Sequence, residues 1–294
     1  MNYKQLYENI LKKRSFLCIG LDTDYALLPE HLKNAKYPLF EFNKAVIDVT
    51  ARYSVAYKPN LAFYEAEGAE GWKQLEMTVD YIRKKDSSLF IIADAKRGDI
   101  GNTAQKYATA FFEKMDFDAV TLSPYMGRDS IDPFLRYNDK WAIVLALTSN
   151  PSATDFETII TGEEPAEQSI KTPCANMVPL YRKVIESVSG WGSVDNTMFV
   201  VGATRPEKLA GIREFCPDHF LLVPGVGVQG GTIAEVARYG MNSRCGLLVN
   251  ISRGITNAWR EERELYPHGL NFEKAVATAV AAAAAETDLA LTKL

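Results

Sequence analysis

Cysteine and histidine are scarce in this sequence, and neither is arranged for chemistry. The four cysteines (Cys18, Cys174, Cys216 and Cys245) lie far apart and form no CxxC pair, so neither a zinc site nor a disulfide framework is signalled. Cys18 and Cys245 fall inside apolar runs and read as buried free thiols. The three histidines, His31, His219 and His268, are scattered without metal-ligand spacing. No metal site is expected. An excess of basic charge is missing too: 33 basic against 37 acidic residues give a net charge of −4. That balance excludes a general nucleic-acid binder, which carries a basic stripe, but leaves room for one small anion held by local cations and backbone amides. No apolar run reaches the roughly 20 residues of a membrane span. The opening segment MNYKQLYENILKKRS reads as a polar amphipathic helix and not as a secretory leader, so a cytoplasmic protein is expected. No GxGxxG follows the first apolar run, which removes the usual dinucleotide site.

What is present is alternation. Short apolar runs at 16–21, 55–61, 89–95, 119–123, 142–148, 198–203, 220–226 and 247–251 are strand-length and rich in Val, Ile, Leu or Phe. Such runs suit strands covered on both faces of a parallel sheet. Between them lie helix candidates at 39–52, 71–85, 103–115, 130–137, 175–189, 206–215 and 232–239. Thr232, with Glu235 three residues on, forms a capping-box pattern. About eight strand–helix units in 294 residues predict an α/β protein, a (β/α)8 TIM barrel in a single domain. A doubly wound open sheet also alternates strand and helix. The barrel is favoured because polar and glycine-rich signals recur at the carboxyl ends of nearly all the runs, which a barrel gathers at one mouth. The stretch 150–173 after the fifth strand, polar and proline-punctuated, reads as an insertion: a surface excursion, or alternatively a lid. The alanine-rich end reads as the closing helix.

The densest chemistry is in Phe90-Ile-Ile-Ala-Asp-Ala-Lys-Arg-Gly-Asp-Ile100. Asp94 and Lys96, two apart in a strand, point to the same side. Gly98 reads as a sharp exit from the strand. Asp99 then stands near the start of the next helix, where a structural role would be that of a cap. Two carboxylates flanking a lysine at a strand's catalytic end favour function instead, because desolvating such a cluster is costly.

Asp94-x-Lys96-x-x-Asp99-Ile100, and more fully DAKRGDIGNTA, resembles the signature of the orotidine 5′-phosphate decarboxylase family, in its longer-chain branch. Other segments match in order: Leu21-Asp22, Lys58-Pro-Asn60, Val201-Gly-Ala-Thr204, Pro224-Gly-Val-Gly227 and Ser252-Arg253-Gly254. The resemblance implies decarboxylation of orotidine 5′-monophosphate to UMP without metal or organic cofactor. It implies that Lys96 is the cation at C6 and the proton donor, that Asp94 faces the substrate carboxylate, and that Lys58 and Asp99 complete a Lys-Asp-Lys-Asp array. It also implies a homodimer in which Asp99 and Thr103 are donated across the interface. Asp22 and Asn60 are matched as substrate-binding residues, Asp22 toward the ribose hydroxyls. Thr148 or Ser149 is expected at the pyrimidine amide edge.

The phosphate site has independent support. Glycines 225, 227, 230 and 231 follow the seventh strand and Ser252-Arg253-Gly254 the eighth, and many barrels bind phosphate with those two loops. Arg253 would supply the charged fork, with Gln229 a further donor. The loop 226–231 is short and lacks the arginine found in the family's shorter-chain branch. Three other readings fit a phosphate-binding barrel: a Schiff-base aldolase using Lys58 or Lys96, a magnesium-dependent sugar-phosphate decarboxylase, and a nucleotide-binding protein without turnover.

Overall fold

The structure, a computed structural model, describes residues 1–162, 177–227 and 230–294. Eight parallel strands close into a barrel: β1 (Leu17–Leu21), β2 (Ala56–Pro59), β3 (Phe90–Arg97), β4 (Ala119–Leu122), β5 (Trp141–Leu147), β6 (Thr197–Val201), β7 (Phe220–Pro224) and β8 (Leu247–Ile251). Each pairs with its sequence neighbours, and β1 closes the ring by pairing with both β2 and β8. Every residue of β1, β6 and β8 is buried. Covered outside by helices and inside by one another, such strands need apolar residues at every position, hence runs and not alternation.

The helices follow in the intervals the sequence indicates, among them Pro38–Thr50, Gly68–Lys85, Gly101–Ala108, Leu180–Trp191, Glu207–Phe215, Ile233–Gly240 and Phe272–Leu291. Thr232 caps its helix as expected, its hydroxyl accepting from the Glu235 N–H. Two candidates differ in kind. The interval 130–137 holds only a 3-10 turn and the short helix Asp132–Leu135. The interval 103–115 starts earlier, at Gly101, and widens after Ala108 into a π-helix over Thr109–Lys114. Residues 175–176 of the helix candidate at 175–189 lie outside the described residues, and the helix observed there begins at Leu180.

The amphipathic opening segment is a helix, Tyr3–Lys13, with a complete Asn2/Gln5 capping box. It covers the amino-terminal end of the barrel, where Tyr3 packs on Trp141 and Phe220 and the Trp141 indole N–H donates to the Met1 carbonyl. With that end covered, ligand access is left to the carboxyl ends of the strands. Of the 150–173 stretch, the described part contains a 3-10 segment, Pro151–Asp155, and a short strand, Ile160–Thr161, that pairs antiparallel with Val178–Pro179. No described helix is long and apolar enough to cross a membrane.

Candidate active site

A cleft of about 160 Å³ opens at the carboxyl ends of the strands. Its walls include Asp22, Lys58, Asn60 and Asp94 on one side and Pro224, Gly225, Ser252 and Arg253 on the other. Residues more than 200 positions apart in sequence therefore meet at one mouth. Gly20 makes one of the close approaches: a Cβ there would stand 2.7 Å from the Ser252 Cβ.

At its centre is a chain of charges. The Lys58 ammonium lies 2.7 Å from Asp94 Oδ2, and the Lys96 ammonium 2.6 Å from Asp94 Oδ1. Asp22 stands 3.9 Å beyond Lys58. The two lysines differ in setting: the Lys58 side chain is 5% exposed, that of Lys96 51%. Burial by itself would raise the Asp94 carboxyl, yet the two ammonium groups outweigh it and hold Asp94 well below the usual carboxylate range. Burial would also lower Lys58, but Asp94 and Asp22 push it above its ordinary value. Both groups therefore stay ionised at neutral pH, and Lys96 reaches from the pair toward open space.

The backbone around Lys96 departs from the sequence expectation. Between Ala93 and Arg97 β3 advances four residues while β4 advances two, from Val120 to Leu122. This bulge is where Asp94 and Lys96 sit, and it is resolved at Lys96 itself, whose φ is +48°. Gly98, read from the sequence as the sharp exit from the strand, is not among the positive-φ residues. A left-handed conformation at a lysine costs about 1–2 kcal/mol and persists only when its surroundings enforce it. Here the enforcing group is Thr121 on β4, which the sequence reading passed over. Its hydroxyl accepts from the Lys96 N–H at 2.9 Å and donates to Asp94 Oδ1 at 3.1 Å. Regular pairing resumes where the Ser123 N–H donates to the Arg97 carbonyl.

The remaining candidates divide into those at the cleft and those away from it. Asn60 lines the cleft and also caps the helix Leu61–Glu65, accepting from the Ala62 N–H at 3.3 Å. Arg253 is exposed and forms no ion pair among the described residues. Asp99 makes no ion pair with Lys58 or Lys96 of its own chain. It is not the helix cap either: that position is Ile100, and among the described residues Asp99 accepts only from the Ile100 N–H. Thr103 is exposed on the helix Gly101–Ala108.

At the end of β5, Thr148 is held by Glu157, whose carboxylate accepts both the Thr148 N–H at 2.7 Å and its hydroxyl at 2.8 Å. Glu157 belongs to the stretch read as an irregular insertion, and nothing in its spacing announced this contact. Ser149 makes no side-chain hydrogen bond among the described residues and packs against Gly202, just after β6, where a Cβ would be 2.8 Å from its backbone. Gln229 lies outside the described residues. Among the described residues no group of three or more His, Cys, Asp or Glu side chains could hold a metal ion.

Residues 15–265 match the model of the orotidine 5′-phosphate decarboxylase / HUMPS family. A protein of Phocaeicola vulgatus named orotidine 5′-phosphate decarboxylase is 53% identical over 262 residues, 89% of this chain and 92% of the relative. One of that name from Christiangramia forsetii is also 53% identical, over 258 residues, 88% of this chain and 90% of the relative. Among solved structures, the Leishmania donovani OMP decarboxylase superposes with a TM-score of 0.72 at 33% identity, covering 97% of this chain and 99% of that one. The chain belongs to the orotidine 5′-phosphate decarboxylase / HUMPS family.

Proposed function

We propose that this chain decarboxylates orotidine 5′-monophosphate to UMP and carbon dioxide, the last step of de novo pyrimidine nucleotide synthesis, with Lys96 as proton donor. The observation that carries the reading is the Lys58–Asp94–Lys96 array at the cleft, in which Asp94 bonds both lysines and the buried Lys58–Asp94 pair stays ionised. The bond from C6 to the carboxylate breaks and its electron pair stays on C6, where no ring carbonyl delocalises it well. A preorganised cation at that position stabilises the developing charge. The Lys96 ammonium then passes a proton to C6, and the amine regains one from water. Asp94 lies against the substrate carboxylate and disfavours the bound ground state relative to the transition state. Arg253 and the loops after β7 and β8 take the phosphate, Asp22 and Asn60 serve the ribose side, and Ser149, whose hydroxyl has no hydrogen-bond partner among the described residues, meets the pyrimidine edge beside the pinned Thr148.

Asp99 and Thr103 serve the site of a partner chain in a homodimer. Supporting this, neither makes a contact with the charge array of its own chain among the described residues, and exposed apolar side chains stand beside Asp99 in sequence and on the loop after β4, whose Met126 approaches Gly98. Ile100 is 51% exposed, Tyr125 89% and Met126 46%, an apolar surface of the kind that marks an interface. The reaction needs no metal or organic cofactor, and its place is the cytoplasm. The aldolase reading is disfavoured at Lys58, since a Schiff-base lysine wants a lowered pKa and this one is raised.

The test is the ultraviolet absorbance of orotidine 5′-monophosphate with purified protein in EDTA. Conversion of the substrate spectrum to that of UMP supports the reaction and its independence of divalent metal together. An unchanged spectrum with folded protein, still unchanged after adding magnesium, moves the reading to a binding protein or an aldolase. Activity that requires magnesium favours the sugar-phosphate decarboxylase chemistry.

A further inference from the structure

We propose that Thr121 is a positioning residue of the active site, which sets the Lys96 ammonium by holding the Lys96 backbone in its left-handed conformation while tying it to Asp94. The inference rests on the reading of Lys96 as proton donor.

Thr121 is 1% exposed and lies on the strand next to the bulge. A hydroxyl has one proton and two lone pairs. The proton is directed to Asp94 Oδ1, and one lone pair receives the Lys96 N–H. Asp94 Oδ1 thus collects two donors, the Thr121 hydroxyl and the Lys96 ammonium. The side chain of Lys96 and its own N–H are therefore linked through one carboxylate and one hydroxyl. This closed circuit fixes where the ammonium stands relative to the backbone. With the hydroxyl removed, the Lys96 N–H loses its partner and Asp94 Oδ1 loses one of two donors. Among the described residues, Thr121 is the side chain that accepts the N–H of this lysine at φ +48°. The bulge can then relax into ordinary strand geometry, which turns the Lys96 side chain away. A strand residue with no strain beside it needs no such hydroxyl, and an apolar residue would fill the position.

Thr121→Val keeps the branched shape and removes only the hydroxyl. It is expected to lower kcat at least tenfold, with UMP affinity within about threefold of the parent, because the groups that bind UMP are unaltered. Thr121→Ser restores the hydroxyl and is expected to recover most of kcat. Thr121→Cys, which keeps the size but bonds weakly, gives a second version of the loss should the valine chain fail to fold. The proposal is overturned if Val and Cys chains turn over at the parent rate, if Ser is as impaired as Val, or if kcat and UMP affinity fall together. A crystal structure of the Val or Cys chain supplies a readout independent of activity. Lys96 is expected out of the left-handed region, and an unchanged backbone with the ammonium still on Asp94 overturns the proposal. If the parent chain itself fails to turn over orotidine 5′-monophosphate, the decarboxylase reading fails, and the crystal structure alone decides the role of Thr121.

Discussion

At Asp94 three donors converge on one carboxylate: Lys58 on one oxygen, Lys96 and Thr121 on the other. Lys58 is sealed in and depends on that carboxylate for its charge. Asp94→Asn keeps the shape and removes the charge, so among the described residues it leaves a buried ammonium with Asp22 at 3.9 Å as its remaining carboxylate. Removing one partner of a buried pair costs about 3 kcal/mol or more, and chemical denaturation is expected to register a loss of that order. Turnover is expected to fall by about 10³-fold or more, since the field at C6 is no longer ordered. Unchanged stability in the asparagine chain would show that Lys58 is not held by Asp94. At this scale the sequence was legible in part. Asp94 and Lys96 announced themselves by charge at the end of an apolar run. Thr121 did not: in Ala119–Ser123 it reads as one more buried β-branched residue, and its hydroxyl matters only because β3 bulges beside it. The same holds for Lys96, whose left-handed backbone follows from strand register and not from residue type.

The strands themselves were legible because burial on both faces leaves no choice but continuous apolar runs. Helix ends were less so. The candidate at 130–137 has an apolar face but packs only as the short helix Asp132–Leu135, and the π-helical turn over Thr109–Lys114 has no local signature. At the amino-terminal face, the start of β7 carries a titratable group in an apolar setting. His219 packs on Phe199 with ring centroids 5.3 Å apart, and its Nε2 is buried without a partner among the described residues. Burial first, and the Arg213 guanidinium second, lower its pKa to about 4. The folded protein therefore refuses a proton that the unfolded chain accepts near pH 6.5. Stability from this group is fully present above that pH and is lost as pH falls toward 4, by up to about 3 kcal/mol. His219→Leu is expected to flatten the fall in stability across that window, as followed by urea unfolding at several pH values. Parallel curves for parent and variant would show that His219 is not the group responsible.

On the scale of the whole molecule, the barrel delivers the Lys58–Asp94–Lys96 array within one chain but leaves Asp99 off it. If sites are shared across a two-fold axis, mixing Lys96→Ala and Asp99→Ala chains, each inactive alone, restores one intact site in every mixed dimer. Random pairing then recovers about a quarter of parental activity. No recovery, with subunit exchange demonstrated by mass spectrometry, would assign Asp99 to its own subunit. The closed eight-stranded architecture was readable from the count of strand–helix units and from polar residues clustering at the carboxyl ends of strands. Which of those residues share a cleft was not readable, because it depends on barrel closure bringing Gly20 beside Ser252. The measurement that bears most directly on the whole reading is the turnover of orotidine 5′-monophosphate in EDTA by the parent and the Lys96→Ala chain, alongside UMP binding by each. The parent is expected to produce UMP, and the alanine chain to bind UMP while turning over more than about 10³-fold more slowly. Comparable turnover by both chains would remove Lys96 from the chemistry and the proposed mechanism with it.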